Sequence, residues 1–243
     1  LYTDNASGNF PQTDPRNATT LMGSSADSSY TNQNLFFTGT LWNHVSGAND
    51  SCIYDEIYIP YNSNTTLDLT MITEGLYNTV NNRLNKRDTV TVHLRNSSAP
   101  YEIVDSSIAR VGNGGNGNFE FDNTDNFVDY YIQVKHRNSI ETWSSAPISF
   151  TNGITSVFDF TGSQSNAYGN NLVYKYGKWC IYAGDINQDG VIDASDISSV
   201  ENDAVNGLSG YVQTDVTGDN FVDGSDLSLT DNNALTGVTS VTP

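Results

Sequence analysis

The sequence has few cysteines, few basic residues and no long apolar run, and each shortage excludes a class of protein. Its 243 residues include 2 Cys, and 10 Lys plus Arg stand against 28 Asp plus Glu, which gives a formal net charge of -18. A surface this acidic repels nucleic acid and anionic membranes, so we expect neither as a partner. No stretch approaches the roughly 18 consecutive apolar residues that a membrane-spanning helix needs. The composition therefore favours a protein that attracts cations.

Signatures of common active sites are also missing. The sequence contains no GxSxG, HExxH, CxxC or glycine-rich phosphate loop. His44 falls in a loop, His93 on the wet face of a predicted strand and His136 at a strand end, where structural or solvated histidines are commonest. We predict that the protein is not an enzyme, and we keep an unrecognised hydrolase as the last alternative.

The start of the chain and its two cysteines indicate export. The sequence begins at Leu1 without an initiator Met, a charged segment or an apolar segment of signal-peptide type. We therefore expect a mature secreted product, extracellular or on the cell surface, with its signal peptide removed. In an oxidising compartment Cys52 and Cys180 are candidates for one disulfide; the alternatives are two buried free thiols or a bridge between chains.

Most of the chain carries β patterns. Residues 1–33 are polar and aperiodic, which predicts an extended N-terminal arm. From 34 to 180, short apolar and aromatic runs bounded by Asn, Ser or Gly predict strands. We predict a mainly β fold in which residues 34–180 form an antiparallel, immunoglobulin-like β-sandwich, open to division into about 34–65 and 66–180.

One strand shows its two faces clearly. In DTVTVHLR, Val90, Val92 and Leu94 share one face, and polar residues share the other. Such alternation predicts a strand with one buried face and one solvated face. Helical periodicity begins only at about residue 192.

An internal repeat with an offset of 30 residues occupies residues 181–243, which we predict to be a separate calcium-binding module. DINQDGVIDASD at 185–196 aligns without gaps on DVTGDNFVDGSD at 215–226, with Asp at loop positions 1, 5, 9 and 12 of both copies. This is the spacing of oxygen ligands in a twelve-residue calcium loop. We predict two calcium ions; the alternative is an acidic, turn-rich tail without metal.

The spacing also assigns the ligands. In the first loop they are Asp185, Asn187, Asp189, the carbonyl of Val191, Asp193 and Asp196. In the second loop they are Asp215, Thr217, Asp219, the carbonyl of Phe221, Asp223 and Asp226. Gly190 and Asn220 occupy position 6, where a left-handed backbone is needed. Because unpaired carboxylates would repel one another, folding of this module should depend on the metal.

Other features surround the two loops. Apolar residues at helical spacing, including Val200 and Leu235, predict a short helix after each loop, ending before Gly207 and Gly237. A further acidic segment, NTDNFVD, carries Asp125 and Asp129 just after Asp122. It is either an additional calcium site or a solvated turn.

The two loop–helix units resemble a type I dockerin, because strand-like KWCIY leads into the first loop and Asp, instead of Glu, closes each loop. The resemblance implies an EF-hand-like calcium module that binds a cohesin-like protein. The positions that recognise cohesins in the family hold here Ala194 with Ser195, Gly224 with Ser225, Asn202 and Asn206. The last two replace residues that are often basic in the family. The module therefore has a second interpretation, as a calcium-dependent clamp that packs against its own sandwich or a neighbouring subunit.

The preceding region has a resemblance of its own. NFEFDNTDNFVDYYIQVKHRN resembles transthyretin-like or carboxypeptidase-regulatory-like modules, non-catalytic sandwiches of exported bacterial proteins, over about residues 66–161. YYIQVKHRNSIETWS with the tail is also similar to secreted surface proteins of Bacteroidetes and Ignavibacteria.

The function predicted from these features is that of a non-enzymatic, calcium-stabilised extracellular structural protein, a self-assembling surface or filament subunit. Its expected partners are copies of itself. The alternative is a cohesin-type adaptor or a carbohydrate-binding module of a secreted enzyme system. In the latter case Trp42, Trp143 and Trp179 are candidates for stacking on a polysaccharide.

Overall fold

The computed structural model describes residues 64–243 in full and the backbone of residues 36–42 and 52–58. The chain divides into two compact units, 1–62 and 63–243. The predicted N-terminal arm, His44 and the side chains of Trp42 and Cys52 lie outside the described residues.

The described residues form a mainly β structure with fourteen strands and two α-helices. The strands are β1 (Phe36–Trp42), β2 (Cys52–Tyr58), β3 (Thr65–Thr70), β4 (Tyr77–Asn78), β5 (Arg83–Leu84), β6 (Asp88–Asn96), β7 (Ile103–Val111), β8 (Asn116–Phe121), β9 (Val128–His136), β10 (Ser139–Trp143), β11 (Ile148–Phe150), β12 (Thr155–Asp159), β13 (Val173–Lys175) and β14 (Lys178–Cys180). The helices are α1 (Ala194–Val205) and α2 (Gly224–Leu235).

The strands form two main sheets. One has the order β10-β9-β6-β7 with β11 also paired to β9, and the other has the order β12-β3-β8. Three hairpins, β1–β2, β4–β5 and β13–β14, form separate small sheets. The prediction of an antiparallel fold is wrong at one pair, because β12 runs parallel to β3, with Thr155 opposite Thr66. The long connection between these strands lets the chain re-enter the sheet from the same end.

Alternating side chains from both main sheets fill one core. In β6 the residues Val90, Val92 and Leu94 are buried, as their spacing predicts. The three-stranded sheet contributes Leu67, Leu69, Phe119 and Phe121 to the same cluster. Both sheets therefore bury a face against shared apolar side chains, which fixes the strand register.

The C-terminal residues add a smaller core. Ala183, Ile186, Val200, Val216 and Val222 pack together. Ile192 and Val238 instead join the main core of the sheets. The helices end as predicted, and Gly207 and Gly237 follow them with φ of 63° and 69°. The C-terminal repeat thus packs directly on the β region.

Of the helices in the described part of the chain, none combines the length and apolar character needed to cross a membrane.

Candidate metal centre

The start of each helix fixes positions 9 and 12 of the loop before it. Asp193 precedes α1 with an extended backbone (φ -144°), and its side chain accepts the amide of Ser195 at 2.8 Å. The side chain of Asp196 in turn accepts the backbone amide of Asp193 at 3.0 Å. Asp223, Ser225 and Asp226 make the same reciprocal contacts at the start of α2. These are capping boxes, so the helix start and the loop end share their carboxylates.

Position 6 closes each loop around the first carboxylate. Gly190 has φ 87° and Asn220 has φ 76°, the left-handed conformation that the sequence predicts. In that conformation the Gly190 amide donates to Asp185 Oδ2 at 3.3 Å, and the Asn220 amide donates to Asp215 Oδ2 at 3.3 Å.

Each loop also pairs with the segment that follows the helix of the other repeat. The Ser240 amide donates to Gly190 O, and the Ile192 amide donates to Val238 O. In the second loop the corresponding bonds run from Gly210 to Asn220 O and from Val222 to Leu208 O. These contacts cross-brace the two repeats.

The same pairing orients the position-7 carbonyl. A residue that lies between two such bonds directs its own N–H and C=O to the opposite edge. The Val191 amide accordingly donates to Asp189 Oδ1 at 3.0 Å, and the Phe221 amide donates to Asp219 Oδ1 at 2.9 Å, both inside the loops. The carbonyls of Val191 and Phe221 therefore face the loop side, as a calcium loop requires.

A buried carboxylate oxygen without a partner marks both loops. Asp185 is 1% exposed and Asp215 is 0% exposed. In each, Oδ1 is buried and has no hydrogen-bond partner. Leaving a carboxylate oxygen buried and unpaired is costly, and it occurs here at the same atom of position 1 in both loops. The residues present therefore fit a bound cation on grounds independent of the sequence spacing.

The electrostatics of the first loop point the same way. Burial, together with the charge of Asp196, raises the pKa of Asp185 to about 6. Burial also raises the pKa of Asp226 in the second loop. Both shifts arise where carboxylates are crowded away from water, and a bound divalent cation would reverse them by favouring the ionised forms.

The remaining carboxylates do not converge on one point. Within residues 64–243, no group of three or more Asp, Glu, His or Cys side chains is close enough to hold a metal ion. Several loop side chains instead bond within the loop: Asn187 donates to Asp189 and Ser195, Asp196 accepts the amides of Ile186 and Asn187, and Asp226 accepts the amide of Thr217. The loop backbone has the required form, and ligation would require these side chains to rotate inward.

The third acidic segment, NTDNFVD, differs from the two loops in its exposure to solvent. Asp122, Asp125 and Asp129 are all exposed. The carboxylate of Asp105 accepts the amides of Asp122 and Asn123 at 2.8 Å each. None of these three carboxylates is buried, so this segment lacks the feature that marks the two loops.

The turn between β9 and β10 connects the starts of both loops, and sequence reasoning did not identify it. Asn138 is 0% exposed; its carbonyl accepts the Gly184 amide at 2.7 Å, and its side chain donates to Asp215 O at 3.1 Å. Arg137 Nη2 also donates to Asp215 O at 3.0 Å, and Gln188 reaches Ser139 O at 3.3 Å.

A buried charge network supports this turn. Asp88 Oδ2 lies 2.9 Å from Arg137 Nε and 3.2 Å from His136 Nε2, and Asp88 Oδ1 accepts the hydroxyl of Tyr211. Burial raises the pKa of Asp88, but the adjacent His136 imidazole and the hydrogen bonds from Tyr211 and Arg137 outweigh burial and hold the pKa well below its usual value. His136 ends β9, as predicted, and the structure also buries it.

This network contains the residue types of a nucleophile triad. Ser139 Oγ lies 3.1 Å from His136 Nδ1, opposite Asp88. Ser139 is 0% exposed, so a substrate cannot reach its hydroxyl. The arrangement can position the turn but cannot attack an external molecule.

A second contact joins α2 to the β region. Glu74 Oε2 accepts the side-chain amide of Asn233 at 2.7 Å, and Glu74 Oε1 lies 3.3 Å from Lys175 Nζ. A side chain added at Gly75 would clash with the carbonyl of Val216. The repeat and the sheets therefore approach at backbone distance.

Two other predicted sites have partial outcomes. Cys180 is buried and forms no disulfide within the described part of the chain, and burial raises the pKa of its thiol to about 12. Its pairing with Cys52 remains a prediction.

The predicted sugar-stacking tryptophans have different surroundings. Trp143 is 4% exposed and packs under Arg95, whose guanidinium carbon lies 5.1 Å from the ring. Trp179 is half-buried beside Tyr174. Trp143 is therefore not open for stacking on a sugar.

Neither a protein-family profile nor a curated protein matches this sequence.

Proposed function

We propose that this chain is a non-enzymatic, calcium-stabilised extracellular structural protein. In this proposal the two main sheets form a β-sandwich, and residues 181–243 form a dockerin-like pair of calcium loops. The observation that carries the proposal is the buried, unpartnered Oδ1 of Asp185 and of Asp215. Every predicted ligand is an oxygen, and hard oxygen ligands in a flexible loop favour Ca²⁺ over zinc or copper.

Calcium would act here as a clamp. Each loop lies next to a helix start and to the segment that follows the other helix, so ordering one loop orders both repeats. The β9–β10 turn and Glu74 then tie the ordered repeats to the sheets. Metal binding to such a site adds to folding stability, because the unfolded chain lacks the assembled ligands.

The test is calcium titration and thermal denaturation of the full chain. We expect two ions per chain by isothermal titration calorimetry and a rise in Tm of several degrees in calcium relative to EGTA. The double variant Asp185→Asn/Asp215→Asn should lose both effects. Asp231→Asn removes one carboxylate from an exposed position of α2 and serves as the matched control. A wild-type chain with no calcium heat and no Tm shift would refute the proposal.

We infer further that copies of the chain assemble with one another. Among the described strands, β12 pairs only with β3, and its Val157 is 72% exposed. An exposed edge strand is a template for strand addition. Negative-stain images in millimolar calcium and in EGTA test this inference. Ordered fibres or sheets that disperse in EGTA support it, and monomers under both conditions contradict it.

A cohesin-type adaptor is the second candidate. Val205 is 83% exposed and Leu235 is 84% exposed, and they occupy equivalent positions in the last turns of α1 and α2. The exposure of an apolar side chain at the same position of both repeats favours this candidate. If the chain stays monomeric in calcium, binding assays against purified cohesins test this function. The double variant Val205→Ser/Leu235→Ser should bind more weakly than wild type.

A further inference from the structure

The two loops differ in a charge that comes from outside the repeat. Lys86, between β5 and β6, places its Nζ 3.2 Å from Asp215 Oδ2. Within residues 64–243 no Lys or Arg side chain forms an ion pair with Asp185, the equivalent residue of the first loop. The sequence repeat gives no sign of this difference, because Lys86 is distant from both copies along the chain.

Lys86 is held in place by its surroundings. Its side chain is 18% exposed, and its ammonium group lies 5.4 Å from the centre of the Tyr211 ring. Tyr211 is in turn fixed by its hydrogen bond to Asp88. An ammonium group that is largely removed from water and held by an aromatic ring interacts more strongly with nearby charges than a mobile surface lysine.

Position 1 of the second loop would thus face two cations once calcium binds. Asp215 Oδ2 contacts Lys86, while Asp215 Oδ1 is the buried, unpartnered oxygen. A calcium ion at Oδ1 would share one carboxylate with the ammonium group. Repulsion between the two cations would weaken calcium binding at the second loop. In the metal-free protein the same ammonium group supplies the counter-charge that the first loop lacks.

We propose that Lys86 is a built-in cation that makes the two calcium sites unequal. The first loop binds calcium more tightly and carries the metal dependence of folding. The second loop is held in the metal-free chain by Lys86 and fills only at higher calcium concentration. This inference rests on the proposed calcium function.

The experiment compares Lys86→Met with wild type by calcium titration against a chelator, at low salt. Wild type should show two separate binding steps. In Lys86→Met the weaker site should gain on the order of tenfold in affinity, so that the steps move together. Lys86→Arg keeps the charge and should restore the separation. Lys178→Met removes the same charge from the β13–β14 hairpin and should leave both steps unchanged.

Single-site variants assign the effect to one loop. In an Asp185→Asn background only the second site remains, and Lys86→Met should tighten it by the same factor. In an Asp215→Asn background only the first site remains, and Lys86→Met should not change its affinity. Circular dichroism in saturating calcium checks that each variant is folded. If a single-site variant does not fold, the comparison of Lys86→Met with wild type still tests the inference.

The outcomes separate the two claims. If wild type and all variants fail to bind calcium, the proposed function falls and this inference falls with it. If calcium binds but Lys86→Met and Lys178→Met give the same two affinities, only the inference about Lys86 is overturned. Loss of stability in Lys86→Met with unchanged affinities would likewise overturn it, because that is the behaviour of a purely structural ion pair.

Discussion

The two calcium loops have nearly the same local structure but different surroundings. Asp193 and Asp223 have φ of -144° and -145°, and both helices have the same length and the same capping contacts. Asp185 nevertheless has no basic partner among the described residues, whereas Asp215 meets Lys86. A duplicated sequence determines the local fold of each copy, and tertiary contacts determine the charge that each copy meets.

The largest expected effect separates the loops by their calcium dependence. We predict that Asp185→Asn removes about 4 kcal/mol of the calcium-dependent free energy of unfolding, the value for a site at a thousand times its Kd. Asp215→Asn should remove less, because the second site is weaker. Urea denaturation in calcium and in EGTA gives the two differences. An equal or larger loss for Asp215→Asn would contradict the proposed order of affinities.

The next effect should fall on the bonds between the β9–β10 turn and the segment that leads into the second loop. Asn138→Ala removes the side-chain bonds to Gln213 O and Asp215 O from a fully buried position. We predict a loss of about 2 to 4 kcal/mol in the free energy of unfolding, in calcium and in EGTA alike. Asn118→Ala, at an exposed position of β8, is the control and should have little effect. An unchanged free energy of unfolding would show that these two bonds do not hold the repeat on the sheets.

A smaller effect concerns pH in the metal-free chain. Because the folded-state pKa of Asp185 is raised to about 6, its ionised form lowers stability above pH 6, and protonation restores stability as the pH falls toward 4. We predict that wild type gains about 1 kcal/mol relative to Asp185→Asn between pH 7.5 and pH 5 in EGTA. The comparison with the variant is needed because burial lowers the pKa of His136, which reduces stability as the pH falls below about 6.5.

The control for that pH series is Asp215→Asn. This variant keeps Asp185, so it should also keep the pH-dependent gain. If the stability of Asp185→Asn changes with pH just as that of wild type does, a group other than Asp185 titrates.

The smallest effect should come from improving the second loop. Thr217 occupies position 3, where the first loop has Asn187. We predict that Thr217→Asp tightens the weaker site by less than about tenfold, because it adds one charged oxygen ligand and leaves Lys86 in place. Calcium titration measures the change. No change would mean that position 3 of this loop does not contact the ion.

Much of the fold can be predicted from local pattern. The alternation in β6 gives its buried face, and the position-6 residues and terminal glycines give the loop backbone and the helix ends. Strands β7 and β10 are harder to predict, for local reasons. In β7 only Val111 is fully buried, and in β10 nearly every residue is buried, so neither shows a clean alternation.

Other features depend on contacts between distant segments. Leu235, predicted at inward helical spacing, is 84% exposed, while Thr230 and Asn233 are buried instead, Asn233 by its bond to Glu74. Lys86 and Asn138 belong to no motif, and only the docking of the repeat on the sheets brings them to the loops. Sequence spacing can therefore predict a metal loop but not its neighbouring charges.

The pairing of the C-terminal segment with the first loop has a mechanical consequence. Ser240 and Val238 hold Gly190 and Ile192 through two backbone hydrogen bonds, and Val241 packs against Gly169. Tension applied beyond residue 241 would load these contacts before it reached α2. The strain would therefore fall on the backbone of the first loop, so the force that the chain resists should depend on whether calcium is bound there.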